Sequence, residues 1–220
     1  MQPALLTFAI DARYRTFQEK REGKMARPKT GDKPGAIRQA TVDEVSAVGS
    51  TAVSVNKVAD RAGVSVGTIY RYYRTKDDLL FDVFLQVKRD LHSTMMAAAG
   101  DKVGAEARLK AMWFALVDYG FRAPGDFLLV ELLSSETKPP FLEHEELRSI
   151  NATVPAEIQS GIDDGTFVQT NASTIETVLA SPAITLARQA YISGERIRQD
   201  EVERVFRLIW RGISRDRSDI

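Results

Sequence analysis

Apolar residues recur three and four positions apart along most of the chain, the spacing that places them on one face of a helix. Ile37, Ala40, Val45 and Val48 predict a helix over about 36–48, closed by Gly49. Leu79, Leu80, Val83, Phe84 and Val87 predict a long one over about 76–98. Leu109, Met112, Trp113, Leu116, Val117 and Phe121 make the segment 103–121 apolar on most sides, as a central buried helix would be. Beyond it, Pro124, Pro139-Pro140 and Pro155 break or bend the chain, and Gly161–Phe167 reads as a turn. Two closing helices are expected at about 172–193, with Pro182 bending it, and 199–215. No stretch combines alternating polarity with hairpin turns, so the predicted fold is all-α.

The punctuation between 53 and 78 is dense. Ser54 is placed as an N-cap, with Val53 and Val58 at the positions of a hydrophobic staple. A short helix then runs to Ala62, and Gly63 supplies a left-handed turn. Ser65 is the next N-cap, with Val64 and Ile69 as a second staple. Thr75 and Asp78 have the spacing of a capping box. Short helices with tight turns in this order predict a helix-turn-helix. Val58, Ala59, Ala62, Val64, Ile69 and Tyr73 are spaced to pack the two short helices together, which leaves residues 65–68 and 70–72 outward.

Those outward residues suit a DNA major groove, which is wide enough for an α-helix. Thr68 can bond a phosphate or base edge, Val66 can touch a thymine methyl, and Arg71 can reach guanine or phosphate. Tyr70 and Tyr72 offer hydroxyl donors to the backbone, and Gly67 lets the helix approach closely. Lys76 stands at a helix start, where its charge and free N–H groups both favour phosphate. The same pattern also describes a small helical hairpin with an ordinary polar face.

Charge sharpens the picture. The 220 residues carry 30 basic and 30 acidic side chains. Yet segment 54–76 holds Lys57, Arg61, Arg71, Arg74 and Lys76 against Asp60, whereas segment 101–170 holds 6 basic and 12 acidic residues. A basic module followed by an acidic one implies that only the first meets a polyanion. Pro28, Gly31, Pro34 and Gly35 with Arg27, Lys29 and Lys33 describe a flexible basic arm, and residues 1–24 read as an extension ahead of it. Cysteine is absent, which excludes disulfides and thiolate metal sites and fits a reducing cytoplasm. No apolar run is long enough for a membrane span, and Leu5–Ile10 with basic residues behind it does not make a signal peptide.

Residues about 37–85 resemble the DNA-binding domain of the tetracycline-repressor (TetR) family. The residues that carry the likeness are Ile37…Ala40, Gly49, Ser54-Val55…Val58-Ala59…Ala62-Gly63-Val64-Ser65…Gly67-Thr68-Ile69-Tyr70…Tyr72-Tyr73…Lys76-Asp77-Asp78-Leu79-Leu80. Tyr73 and Arg74 stand where the family usually has phenylalanine and proline, and Val45 where an aromatic is common. The resemblance implies a three-helix DNA-binding domain at 35–75, after an extension and arm at 1–34, and a helical ligand-binding and dimerisation domain at 76–220. It implies DNA-facing positions at Ser54, Asn56, Ser65, Val66, Gly67, Thr68, Tyr70, Arg71, Tyr72 and Lys76. It also implies a repressor that binds double-stranded operator DNA as a homodimer and is released when a small effector displaces the 76–98 helix.

Val202, Val205, Phe206, Ile209 and Ile213 form a stripe opposite Arg204, Arg207 and Arg211. Such a stripe is more often monomer core. The resemblance instead implies that helices 172–193 and 199–215 pair with their copies. A cavity for an apolar or amphipathic effector is expected between 103–121, 124–136 and 140–163, lined by Trp113, Phe114, Leu116, Phe121, Phe127 and Phe141. The run Glu143–Glu146 with His144 points in several directions on a helix and holds no metal, and no cofactor is called for. Nothing points to an enzyme: phosphate loop, nucleotide glycine fingerprint, HExxH and cysteine nucleophile are all missing, and His92 and His144 fall in different helices. The main rival reading is an enzyme or small-molecule carrier with an incidental helix-turn-helix, and a third is a purely structural helical dimerisation module.

Overall fold

The computed structural model describes residues 32–134 and 144–215. Within them the chain forms α1 (Lys33–Val48), α2 (Val55–Ala62), α3 (Val66–Tyr72), α4 (Lys76–Ala99), α5 (Ala105–Arg122), α6 (Pro124–Ser134), α7 (Glu145–Asp163), α8 (Ala172–Ser193) and α9 (Gln199–Ile213). The fold is all-α, and an isolated bridge pairs Phe167 with Ser214. The extension, the arm up to residue 31, Pro139-Pro140 and Phe141 lie outside the described residues. Pro155 and Pro182 sit inside α7 and α8, so neither ends its helix, and Pro124 begins α6.

The helices fall into two compact units. The first takes in residues 32–87 and 125–134, the second 88–124 and 144–215. The sequence boundary at 75/76 followed helix order; packing carries the first unit to Val87 and adds α6.

In the first unit α1 packs on α2, and α2 on α3. Ile37 and Val45 of α1, Val58 and Ala59 of α2, and Ile69 of α3 are buried. Leu79, Leu80, Val83 and Phe84 extend that interior along α4, as their spacing predicted. Helix α6 is tied to α1. The Arg38 guanidinium donates to Asp126 at 2.7 Å, and Val42 lies so close to Gly125 that a Cβ there would sit 3.0 Å from its methyl.

One buried charge joins α1 to the helix-turn-helix. Glu44 is only 1% exposed. Its Oε2 accepts from Arg61 Nε at 3.0 Å, and its Oε1 has no hydrogen-bond partner among the described residues. A buried carboxylate is costly unless paired, so the Arg61 bond is what makes this position tolerable.

In the second unit α8 packs against α5, α7 and α9, and α5 packs against α7. The core centres on an aromatic stack: Trp113, Phe206 and Trp210 follow one another at ring separations of 5.2 and 5.4 Å, and Phe167 meets Trp210 edge-on at 5.5 Å. Gly161 leaves room for Phe167, whose ring a Cβ would approach to 2.2 Å.

The Glu44–Arg61 pair generates a test. Arg61→Ala leaves the Glu44 carboxylate buried and uncompensated, and is expected to cost about 3 kcal/mol of stability. The double variant Glu44→Met with Arg61→Met should recover most of it. Denaturant unfolding of wild type and the variants measures both; a loss below about 0.5 kcal/mol for Arg61→Ala refutes the pairing argument.

Candidate nucleic-acid interface and ligand cavity

The turn between α2 and α3 is built by backbone geometry. Gly63 adopts φ +65°, a conformation that costs an L-residue about 1–2 kcal/mol and glycine nothing. There its N–H bonds the Asp60 carbonyl at 3.2 Å, and the next N–H, of Val64, bonds that of Ala59 at 3.0 Å. The chain reverses at once into Ser65, whose hydroxyl accepts from the Thr68 N–H at 3.2 Å and caps α3. The following helix start is fixed reciprocally, with Asp78 N–H on Thr75 Oγ1 and Thr75 N–H on Asp78 Oδ2, each at 3.0 Å. Ser54 stands at the start of α2 as expected, but its side chain makes no capping bond; only its carbonyl serves the helix, accepting from Val58 N–H at 3.0 Å.

Of the seven residues of α3, Ile69 alone is buried. Tyr70 and Tyr72 are about half exposed, and Gly67 and Arg71 are exposed beside them. Val66 and Thr68 are partly covered, and the Thr68 hydroxyl lies 2.9 Å from Ser65 Oγ. The Arg71 guanidinium sits 5.8 Å from the Tyr72 ring centre. At the start of α2, Asn56 and Lys57 are exposed and Ser54 is half-buried. Lys76 is partly covered, and its ammonium donates to the Thr51 carbonyl at 3.2 Å, so it buttresses the loop after α1. Tyr73 faces inward instead, donating to Asp82 at 2.9 Å; burial first, then that carboxylate, push its phenol up, so it stays a neutral donor at biological pH. No side chain explains Gly67: a Cβ there would meet only Ser65 Oγ, at 3.9 Å.

The second unit holds a cavity of about 230 Å³ between α4, α5, α7 and α8. Leu91 and Met95 of α4 and Leu109, Met112, Trp113 and Leu116 of α5 supply its apolar wall. On α5 these are positions i, i+3, i+4 and i+7, one face of the helix. The Trp113 indole N–H is spent on the Leu179 carbonyl, at 2.8 Å.

Two of the expected lining residues, Trp113 and Leu116, are therefore in the wall. Phe114 and Phe121 are not among its residues. Phe114 packs on Trp113 and Phe206, and Phe121 lies under the Arg196 guanidinium. Phe127 is buried in the first unit, on α6. The third wall comes from α4 and α8, where the expectation had the 124–136 helix.

Polar members of the wall escaped the sequence reading. They are Lys88 and His92 on α4, Asn151 on α7 and Glu176 on α8. The signal was present: Lys88 and His92, four apart, interrupt the same α4 face that carries Leu91 and Met95. His92 Nε2 lies 3.0 Å from Thr153 Oγ1. Burial pushes the Lys88 ammonium below the ordinary lysine value, and the charge of Glu176 opposes that shift. At the nearby end of α7, Glu146 is engaged by Arg89, which holds its carboxyl below the usual range. No group of three or more potential metal ligands gathers among the described residues.

Comparison with known proteins bears on both units. The sequence profile of "Bacterial regulatory proteins, tetR family" matches residues 37–83, from α1 into α4. The HTH-type transcriptional regulator BetI of Cronobacter sakazakii is 33% identical over 97 residues, which cover 43% of this chain and 47% of that protein. The chain thus spans about half the length of this relative. A TetR family transcription regulator from Marinobacter aquaeolei aligns over 83% of this chain and 95% of its own, with a TM-score of 0.74 at 24% identity. The transcriptional regulator FadR from Bacillus subtilis, solved in complex with stearoyl-CoA, aligns over 82% of this chain and 99% of its own, with a TM-score of 0.67 at 17% identity. At these identities the structural likeness concerns the fold. No described helix is long and apolar enough to cross a membrane. The matched helix-turn-helix, its capping and its burial agree with one another: residues 37–83 of this chain are similar to the tetR family of bacterial regulatory proteins, and the all-helical architecture is one that solved members share.

Proposed function

We propose that the chain is a ligand-responsive cytoplasmic transcriptional repressor, which binds double-stranded operator DNA as a homodimer and is released by a small molecule. The observation that carries this reading is the division of α3: Ile69 is 1% exposed, while Ser65, Gly67, Tyr70, Arg71 and Tyr72 remain open. A helix held by one apolar contact and presenting donors and a cation on its free side suits insertion into a major groove. Ser54 and Asn56 at the start of α2 and Val66, Thr68 and Lys76 complete the DNA-facing set. Of these, Lys76 acts on phosphate by exchanging its bond to the Thr51 carbonyl.

Helices α8 and α9 are the proposed dimer surface. Leu208 of α9 is 69% exposed and Val178 of α8 40%, so each of these two helices leaves a large apolar side chain in solvent. An isologous pair would cover them and present two copies of α3 to half-sites about one helical turn, or a multiple, apart.

The cavity of the second unit is the proposed effector site. At about 230 Å³ it falls below the roughly 300–1,000 Å³ typical of drug-sized ligands, so its effector is small, and the stearoyl-CoA of the Bacillus subtilis relative is far too large for it. Signal passes by population shift: a ligand that binds only one position of α4 favours that position. The helix is one continuous rod with Lys88, Leu91, His92 and Met95 on the cavity and Leu79, Leu80, Val83 and Phe84 in the core of the DNA-binding unit.

Titrating the protein onto labelled DNA flanking its own gene, by fluorescence anisotropy at several salt concentrations, tests the central reading; binding that ignores both sequence and salt rejects it. In that assay Arg71→Ala is expected to weaken binding by about 1–3 kcal/mol if the residue contacts a base, and an affinity unchanged at matched salt removes it from the interface. Gly67→Ala separates folding from function. It should raise stability by up to about 1 kcal/mol, since the space is open, yet weaken operator binding because the added methyl stands between helix and groove. Thermal melts and anisotropy read the two effects, and unaltered DNA affinity contradicts the close approach. Leu208→Glu should convert the dimer to monomers with unchanged helicity; sedimentation showing an intact dimer places the interface elsewhere.

A further inference from the structure

The cavity wall carries two charges of opposite sign that are not bonded to each other. Lys88 on α4 and Glu176 on α8 both face it and sense each other electrostatically, yet neither has a hydrogen bond or direct ion pair among the described residues. Each has surrendered part of its hydration to a wall that is otherwise largely apolar, with no bonded partner in return. The other polar groups do not relieve them. His92 is engaged with Thr153, and the Trp113 N–H with the Leu179 carbonyl. Burial pushes the Lys88 ammonium below the ordinary lysine value.

A ligand entering this space meets one cation and one anion. A simple carboxylate would satisfy Lys88 and be repelled by Glu176; a simple amine would do the reverse. A molecule bearing both charges satisfies both side chains and adds no net charge to a poorly solvated site. The size of the cavity leaves room for only a modest apolar remainder, which Met95, Leu109, Met112 and Leu116 would surround.

We propose that the effector of this protein is a compact zwitterion with an apolar side chain, of the size of an aliphatic amino acid, whose carboxylate bonds Lys88 and whose ammonium bonds Glu176. This rests on the cavity being the effector site.

The test uses matched probes on one skeleton: leucine, 4-methylpentanoate, which lacks the amine, and 3-methylbutylamine, which lacks the carboxylate, with valine and phenylalanine sets beside them. Binding to the full-length protein is followed by calorimetry and by tryptophan emission, to which Trp113 in the wall contributes. At least one zwitterion is expected to bind roughly tenfold or more tighter than both of its truncated partners. Lys88→Met should then turn the preference toward the amine and Glu176→Gln toward the carboxylate, with thermal melts confirming that both variants fold. Equal binding of a singly charged probe, or no binding by any zwitterion of the set, overturns the proposal.

Ala180→Phe, which fills the cavity from α8, separates this failure from failure of the effector reading. If a metabolite extract releases DNA from wild type but not from Ala180→Phe while the zwitterions do nothing, the cavity remains the sensor and the zwitterion is refuted. Release from both proteins alike removes the cavity as sensor and the proposal with it.

Discussion

Helix α3 has seven residues, far fewer than the dozen or more a helix needs to persist alone in water. Its position is therefore set from outside, by the burial of Ile69 against the rest of its unit and by the Ser65 cap. Everything proposed for DNA recognition depends on that one apolar anchor, because rotating α3 to bury a different residue would carry Arg71, Tyr70 and Gly67 away together. The surroundings restrict such rotation at both ends. Gly63 fixes the approach from α2, and the reciprocal Thr75–Asp78 bonds fix the departure into α4. Glu44 and Arg61 then hold α1 and α2 to each other beneath it. Rigidity here is assembled from short-range bonds around a small core, and the face left over is polar because nothing in the protein needs it to be otherwise.

The sequence disclosed the helix-turn-helix of the first unit, though not α6 or the extent of α4 in it, since the signals of the helix-turn-helix are local. Caps, a left-handed glycine and staples each involve residues within five positions, and their chemistry survives without knowledge of the fold. Side-chain detail was less legible: Ser54 stands at the N-cap position as read, with the backbone conformation of a cap, but its hydroxyl makes no capping bond. The bond from the Lys76 ammonium to a carbonyl 25 residues earlier is a contact that no local pattern encodes.

The second unit was legible as helices but not as a site. Aromatic residues were expected to mark the cavity because of their bulk, yet bulk finds burial in any core. What sorts them is angle. Leu109, Met112, Trp113 and Leu116 share a face, whereas Phe114, one residue beyond Trp113, is turned away by about 100°. It joins the stack with Phe206 instead. The polar members of the wall were visible as interruptions of an apolar stripe, a weak signal until α7 and α8 bring Asn151 and Glu176 to the same space.

Helix α6 decides how this protein can be dissected. Its Asp126 serves Arg38, and its Phe127, Leu129 and Leu133 are buried, although the helix follows α5, which belongs to the other unit. The first unit is thus discontinuous in the chain, and no single cut releases it whole. A fragment ending at Val87 loses the helix that clasps α1 and uncovers the surface beneath it. A self-standing version requires α6 to be grafted back through a new linker, or the chain to be permuted so that 125–134 and 32–87 become contiguous.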